Sequence, residues 1–366
     1  MFELRLHGGK APPWLFSRMT RLGKGILEAI YLEYGTEEIL RRLSDPIWFQ
    51  ALSNVLGYDW DSSGSTTVTA AVVKDVLNSS DLDVRVAGGK GLRSRRIPSE
   101  IGELCRTHVF DKIDVDKLVY SSRMSAKVDT AAIQAGFQIY HHVMIFSNSG
   151  KWCVVQQGMN PSLKSARRYH WLSEKLSSFV EEPHTGIVGD KSLARVLDMT
   201  SVDSKESRKV SVEIADENPE SLRRSLVSVR TMNQSRLVDW IEGYQPDPKR
   251  FMKVIYEGRV NWDALKAAYE LKPSDYEQLL AIRGMGPATI RALSLVAEVI
   301  YDAKVSWKDP IKYSFALGGK DGIPYPVNRK VYDKTISFFE NTIQRAKIGD
   351  KERVILLKRL KGLVRD

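Results

Sequence analysis

The sequence has very little cysteine and no long apolar segment. Cys105 and Cys153 are the only two cysteines among its 366 residues, and they do not form a CxxC pair. Two cysteines cannot build a disulfide framework, and without CxxC a structural zinc site is not expected. The apolar runs are far shorter than the roughly 20 residues that cross a bilayer, and the N-terminus has no basic-then-apolar signal pattern. We therefore expect a cytoplasmic protein with no membrane partner.

Several catalytic signatures are also missing. The chain has no GxxxxGK[ST] phosphate loop, which argues against nucleotide hydrolysis at such a loop. It has no HxxE metal pair and no repeat of roughly 20 to 50 residues. Any catalytic site must therefore be inferred from scattered residues.

Positive charge is in excess. The formal net charge is +10, and residues 85–96 hold five basic side chains and no acidic one. A strongly basic protein often binds a polyanion, so nucleic acid is the expected partner, and DNA the first choice. Four residues of this stretch are candidate contacts to a nucleic-acid backbone: Lys90, Arg93, Arg95 and Arg96.

The patterning predicts an α+β protein in three parts. Residues 1–200 are a mixed region and candidate catalytic domain, 201–229 a charged linker or excursion, and 230–366 an all-helical domain. Within the first part, 137–146 and 151–157 are rich in β-branched and aromatic residues. The SNSG turn between them predicts an antiparallel β-hairpin.

A glycine-rich turn in the C-terminal part carries the main functional prediction. Ser274 and Glu277 form a capping box at the start of one helix, and a Gly-Met-Gly-Pro turn leads into the next. This pattern resembles the helix-hairpin-helix motif of DNA repair and recombination proteins, which implies binding to backbone phosphate through free amides. An ordinary helical hairpin is the alternative. The candidate binding residues are Arg283, Gly284, Met285, Gly286, Ala288, Thr289 and Arg291.

A second set of candidates surrounds the predicted β-hairpin. His141 and His142 lie on its first strand, Gln156 and Gln157 on its second, and antiparallel pairing brings the two pairs to the same end. Histidine is a general acid or base, and carboxylates, lysine and arginine hold metal or phosphate charge. The predicted site combines Lys127, Asp129, His141, His142 and Gln157, with Arg168 as a nucleic-acid contact and a divalent ion, Mg²⁺ or Mn²⁺, as the expected cofactor. The alternative is one core histidine and one surface histidine.

Asp309 offers a third candidate. Some helix-hairpin-helix proteins excise bases with an aspartate that follows the hairpin by about two dozen residues, and Asp309 is at a similar distance. Near Ala288, where such proteins often carry a lyase lysine, this chain has none. The alternative is that Asp309 caps a helix that begins at Pro310.

Short motifs spread along the chain resemble a family of archaeal and thermophilic bacterial proteins that share a domain of unknown function. They are HGG at 7–9, WDSSG at 60–64, GGK at 88–90, YHH at 140–142 and VVQQGM at 154–159. The resemblance implies a prokaryotic source but supplies no catalytic residue. The leading hypothesis is a phosphodiester-acting nuclease in DNA processing or repair. The alternatives are a non-catalytic DNA-binding or scaffold protein and a base-excision glycosylase that uses Asp309.

Overall fold

The structure is a computed structural model. It describes residues 11–57, 63–108, 110, 113–189, 192–231, 260–311 and 329–346, together with 349–350, 353–355 and 357–358. Side chains are described throughout these ranges except at 63, 227–231 and 329–336. The HGG motif at 7–9 and the first part of WDSSG therefore lie outside the described residues.

The chain is an α+β protein built on an antiparallel sheet of five strands in the order β1-β3-β4-β5-β6. The predicted β-hairpin forms its centre, because β-branched and aromatic residues suit a pleated surface that is covered on both sides. His141 pairs with Gln157 and His142 with Gln156, so the two pairs lie at the same end of the hairpin, as predicted. The strands are β1 Val84–Lys90, β2 Ile133–Gln134, β3 Gln138–Ser147, β4 Trp152–Asn160, β5 Ser165–Leu172, β6 His184–Gly189 and β7 Leu197–Asp198, with β2 and β7 forming a separate pair.

Helices cover both faces of the sheet. A 3-10 helix follows β1, and a single π-helical turn, Val128–Ala132, follows α6. The helices are α1 Pro13–Tyr34, α2 Thr36–Leu43, α3 Pro46–Val55, α4 Ser63–Asn78, α5 Ile97–Thr107, α6 Val115–Lys127, α7 Lys205–Asp216, α8 Pro219–Thr231, α9 Trp262–Leu271, α10 Tyr276–Ala281, α11 Pro287–Tyr301 and α12 Arg329–Arg345.

The two faces of the sheet support two hydrophobic cores. Val143 and Val155 point to the side of α1–α4, where they join a core that also contains Trp48 and Phe339. The rings of Trp48 and Phe339 stack at 4.8 Å, which attaches α12 to this layer. The opposite face, with Met144 and its neighbours, packs against α5–α7 and α9–α11. The sheet is thus the middle layer of three.

The prediction of a charged linker at 201–229 is wrong. This segment forms α7 and α8, and α7 packs against α11 with Val210 and Ile214 buried. Apart from the buried Arg208, the charged residues of α7 are on its outer side while its small and apolar residues face inward. The density of charge in the sequence concealed this pattern.

The predicted boundary at residue 230 does not separate two cores. Leu279, Leu293 and Ile311 belong to the same buried cluster as Phe146 and Trp171 of the sheet. The described helices of the C-terminal part therefore complete the layer on one sheet face. Residues 232–259 and 312–328 of the predicted helical domain lie outside the described ranges.

The capping box is shifted by one residue from its predicted position. Asp275, not Ser274, caps α10, because its carboxylate accepts from the Gln278 amide at 2.8 Å. Gln278 in turn accepts from the Ser274 amide at 3.1 Å. Glu277 instead accepts from the hydroxyl of Tyr120, 2.6 Å away.

None of the helices within the described ranges combines the length and the apolar character needed to cross a membrane.

Candidate functional site

The predicted catalytic residues are divided between the two faces of the sheet. Neighbouring residues of a strand point to opposite sides. His142 and Gln156 therefore face α6 and the π-helical turn, whereas His141 and Gln157 face α3 and α4. Asp129 lies on the first side only, so the five residues do not form one site.

On the first side, Asp129 organises a buried polar network. Its carboxylate accepts hydrogen bonds from the Gln156 side-chain amide, from Trp171 Nε1 at 3.0 Å and from His184 Nε2. Ser122 and Ser125 of α6 and Asp129 of the π-helical turn follow helical spacing, so all three face β3 and β4. The π-helical turn widens the helix at Asp129, and such turns are frequent at functional positions.

The network fixes the tautomer of His142. Gln156 Nε2 contacts two acceptors, the Asp129 carboxylate and the Ser125 carbonyl, so its oxygen must face His142. His142 Nδ1 donates to that oxygen at 2.6 Å, which leaves Nε2 unprotonated and accepting from the Ser122 hydroxyl at 2.9 Å. Burial lowers the pKa of His142, which favours this neutral form.

A hydroxyl donating to a neutral imidazole is the arrangement of a nucleophile and its base. Here, however, Ser122, His142 and Gln156 are buried, and the polar side-chain atoms of His142 and Gln156 are all partnered inside the protein. We interpret the network as the polar core that joins α6 to the sheet.

The network does not fit a divalent ion. It contains one carboxylate, and both oxygens of Asp129 already accept from protein donors. Within the described part of the chain, no group of three or more His, Cys, Asp or Glu side chains is placed to hold a metal ion. We therefore derive no metal-dependent step, and the Mg²⁺ or Mn²⁺ ion stays a prediction.

Lys127 and Asp309 have other structural roles than those predicted. The Lys127 amine donates to the carbonyl of Ile282 at 3.2 Å, away from the Asp129 network, and burial lowers its pKa. Asp309 forms an ion pair with Arg167 at 2.7 Å, with neither side chain exposed. It also accepts from the backbone amide of Ile311, close to the capping alternative.

On the second side of the sheet, Arg168 is the central residue. One of its terminal nitrogens, Nη1, lies 3.2 Å from Gln50 Oε1 and 3.3 Å from Thr66 Oγ1, and the other 3.4 Å from the Pro46 carbonyl. The guanidinium also stacks on Phe49 at 4.8 Å. No carboxylate in the described ranges forms an ion pair with it, and burial lowers its pKa to about 9.

Many polar atoms around Arg168 have no hydrogen-bond partner. His141 is 1% exposed, and both of its ring nitrogens are buried without a partner. Four further atoms are buried without a hydrogen-bond partner: Arg168 Nε, Gln50 Nε2, Asn54 Nδ2 and Asn54 Oδ1. Buried polar groups are normally satisfied, so a cluster of this kind indicates water or a ligand. Burial lowers the pKa of His141 to about 3, so its ring is neutral.

The glycine turn between α10 and α11 lies at the surface. Gly284 has a φ of +86°, and a Cβ there would lie 2.5 Å from Asn261 Nδ2, so the turn requires glycine. Gly286 has ordinary extended angles, and a Cβ would meet nothing closer than 3.8 Å. Met285 is 0% exposed between the two helices, while Arg283 is exposed.

Two residues predicted beside this turn face the protein instead. Arg291 Nε donates to Gln134 Oε1 at 2.7 Å, and Thr289 is buried with its hydroxyl accepting from the Asn261 amide at 3.0 Å. Of the predicted contacts, Arg283, Gly284, Gly286 and Ala288 remain at or near the surface.

The predicted basic contacts after β1 are exposed. Arg93, Arg95 and Arg96 lie on the 3-10 helix Gly91–Arg96, and Lys90 is the exposed end of β1. Lys90 pairs with His141 and lies over the ring of Tyr140. His141 pairs with Gln157, and Gln157 with Arg168, so the basic surface lies at one end of a cross-strand row that ends at Arg168.

A family model described as "Protein of unknown function (DUF763)" matches residues 1–327. The chain belongs to this family. The match covers the sheet, helices α1–α11 and the glycine turn, and it assigns no activity to any residue. No curated protein and no solved structure gives a match.

Sequence reasoning missed most of the partners on both sides of the sheet. Ser122 and Ser125 share a helical stripe with Asp129, and that spacing was the available signal. Every residue of α3 is buried, and three of these buried residues are polar: Gln50, Ser53 and Asn54. Polar residues at helical spacing within an apolar helix were the signal there.

Proposed function

We propose that this protein binds nucleic acid, DNA first, by holding a backbone phosphate at the turn between α10 and α11, and that it acts in DNA processing or repair. The observation that carries the proposal is the exposed start of α11. Gly286, the residue before this helix, has no side chain, and a Cβ there would meet nothing closer than 3.8 Å.

The start of α11 favours an anion on general grounds. The first amides of a helix have no acceptor within it, and the helix dipole adds a partial positive charge. Pro287 occupies the first position, where its missing N–H costs nothing. Arg283 lies exposed on the approach to the turn and adds a full positive charge.

The turn is also held in place before any ligand arrives. Asn261 Nδ2 donates to the Gly284 carbonyl at 3.3 Å, and the Met285 amide donates to the Ile282 carbonyl at 3.1 Å. A preformed site spends less conformational entropy on binding. The four exposed basic residues from Lys90 to Arg96 extend the surface available to a polyanion.

Cleavage of the bound strand remains part of the proposal as a nuclease activity. Because the Asp129 carboxylate is fully occupied by protein donors, the polar residues that could serve such chemistry are those around Arg168, several of whose atoms have no partner. The glycosylase alternative has less support, since Asp309 is buried in its pair with Arg167.

The test measures binding of labelled duplex and single-stranded oligonucleotides by fluorescence anisotropy over a range of salt. Gly286→Val adds a side chain in front of the helix without a clash, so it should keep the fold and weaken binding about tenfold or more. Gly102→Val, at a helical glycine whose Cβ would meet only the end of Arg106, is the matched control. Backbone binding predicts a slope of log K against log salt near −0.9 per phosphate.

Gly286→Val with unchanged affinity and salt slope, in a folded protein, would refute the proposal. A denaturing gel of the same mixtures then separates a nuclease from a non-catalytic binding protein.

A further inference from the structure

We propose that the region between α3, α4 and the sheet is a second anion site, centred on Arg168, that binds a phosphoryl group. The site consists of Arg168, His141, Gln50, Asn54, Thr66 and Thr69. The inference does not depend on the turn at Gly286.

The elements converge because of their periodicities. On α3, Gln50 and Asn54 are one turn apart, and on α4, Thr66 and Thr69 are three residues apart, so each helix presents a polar stripe. Arg168 contacts both stripes, through Gln50 and Thr66. Gln157, on the neighbouring strand, accepts from the same Thr66 hydroxyl, which fixes the sheet side of the site.

The charge in this region is unbalanced. Arg168 is 0% exposed, and no carboxylate in the described ranges neutralises it. Burial is the largest cause that lowers the pKa values of His141 and His170. The positive charge of Lys90 lowers the pKa of His141 further, and that of Arg168 lowers the pKa of His170 further. The local field is therefore positive, and burying an unpaired charge is costly unless an opposite charge arrives.

Water alone does not account for these features. Water can satisfy the free atoms of Asn54, Gln50 and Thr69, but it does not neutralise the guanidinium. The available donors are Arg168 Nε, Gln50 Nε2, Asn54 Nδ2 and the Thr69 hydroxyl, which would occupy every lone-pair position of a carboxylate. A phosphoryl group offers more oxygens, and arginine is well suited to it.

The phosphoryl group belongs either to a small phosphorylated molecule or to a nucleic-acid backbone. Both present anionic non-bridging oxygens to Arg168. The exposed Lys90 and the buried Arg168 belong to one cross-strand row, with His141 and Gln157 between them. The row therefore connects the basic surface to the interior.

Isothermal titration and thermal unfolding of the full chain with inorganic phosphate, at ionic strength matched with chloride, test the site. A dinucleoside monophosphate is the second probe. Phosphate should bind the wild type and raise its Tm. Arg168→Met and Asn54→Leu should each weaken binding about tenfold or more, since each removes donors that the site supplies. Lys209→Ala, which removes an exposed positive charge from α7 on the other side of the sheet, should keep the full response.

Binding of inorganic phosphate that exceeds that of the dinucleotide assigns a small-molecule ligand, and the reverse assigns a nucleic-acid backbone; both support the site. The proposal is overturned if neither probe binds, which leaves water as the occupant. It is equally overturned if Arg168→Met and Asn54→Leu respond to phosphate as the wild type does, or if Lys209→Ala abolishes the response. Because the two variants alter different elements, misfolding of one leaves the other decisive.

Discussion

Two adjacent arginines offer a matched test of how this protein treats buried charge. Arg167 and Arg168 lie on the same strand, both are 0% exposed, and they point to opposite faces of the sheet. Arg167 is paired with Asp309 at 2.7 Å, whereas Arg168 has only neutral partners in the described ranges, at 3.2–3.4 Å. We predict that replacing each with methionine has very different effects on stability.

For Arg167→Met, the loss follows from the carboxylate left behind. Removing one partner of a buried ion pair typically costs about 3–5 kcal/mol. Asp309 keeps an amide donor from Leu193 at 2.7 Å and another from Ile311 at 3.2 Å. These donors stabilise the remaining carboxylate, so we expect about 3 kcal/mol, the lower end of that range.

For Arg168→Met, the change removes a desolvated charge together with three long hydrogen bonds. The hydrogen bonds contribute about 1 kcal/mol each at most, and relief of the buried charge offsets them. We expect a net change within about 1 kcal/mol of zero, in either direction. The sequence change and its volume are the same at both positions, so the difference reports the partners alone.

Urea unfolding followed by tryptophan fluorescence and circular dichroism, without added phosphate, gives the two midpoints at comparable slope. A loss for Arg168→Met as large as that for Arg167→Met would show that Arg168 is a structural residue whose charge is compensated. That result would remove the charge argument for the phosphoryl site.

Three further predictions concern stability. Gly284→Ala should destabilise the protein by about 2 kcal/mol or more and lower its Tm, because it combines a positive φ with a Cβ 2.5 Å from Asn261 Nδ2; an unchanged Tm would contradict the turn geometry. Asp129→Asn should cost about 3 kcal/mol in urea unfolding, because the new amide cannot accept from Gln156, Trp171 and His184 together; a neutral result would mean that the network is not buried as described. Acid should also destabilise the protein. The folded pKa values of His141, His142 and His170 are lowered, so below the unfolded value of about 6.5 the unfolded chain binds protons that the folded chain does not. Each such histidine reduces stability by up to about 1.4 kcal/mol per pH unit, until pH approaches its folded pKa. His141→Phe should therefore flatten the dependence of the unfolding midpoint on pH between 6.5 and 4, and an unaltered slope would place His141 in contact with solvent.

The central β-hairpin was predictable because its signals are local. The SNSG turn and the run of β-branched residues fix the pairing, and pairing fixes which histidine faces which side. The sequence predicted that the histidine pair and the glutamine pair lie at the same end of the hairpin, and the structure pairs His141 with Gln157 and His142 with Gln156. What the register could not give is which helix covers each face, since that depends on contacts between residues far apart in sequence.

The prediction of a linker or excursion at 201–229 failed for a different reason. Its mean composition is that of an exposed segment, but Val210, Ile214 and two serines lie on one side of α7 and are buried. Helical spacing of small and apolar residues outweighs composition when a partner helix, here α11, is present to cover them.

The sequence predicted polar residues that take part in buried clusters, but it placed them in one site. Asp129 and His142 are connected through Gln156, whereas His141 and Gln157 lie on the side of Arg168 and Lys127 joins neither group. Grouping residues by proximity in sequence ignored that a sheet separates its two faces by the thickness of the layer.

The way the glycine turn is attached decides whether it is a portable motif. The carbonyl of Ile282 accepts from Lys127, and the carbonyl of Pro287 accepts from Gln134 at 2.8 Å. Both donors flank the π-helical turn that carries Asp129, so α6 and β2, and not the two helices of the hairpin alone, set the position of the turn. A peptide or graft containing only residues 260–311 would keep the motif's sequence but lose these two anchors, and the turn belongs in this sense to the whole layer.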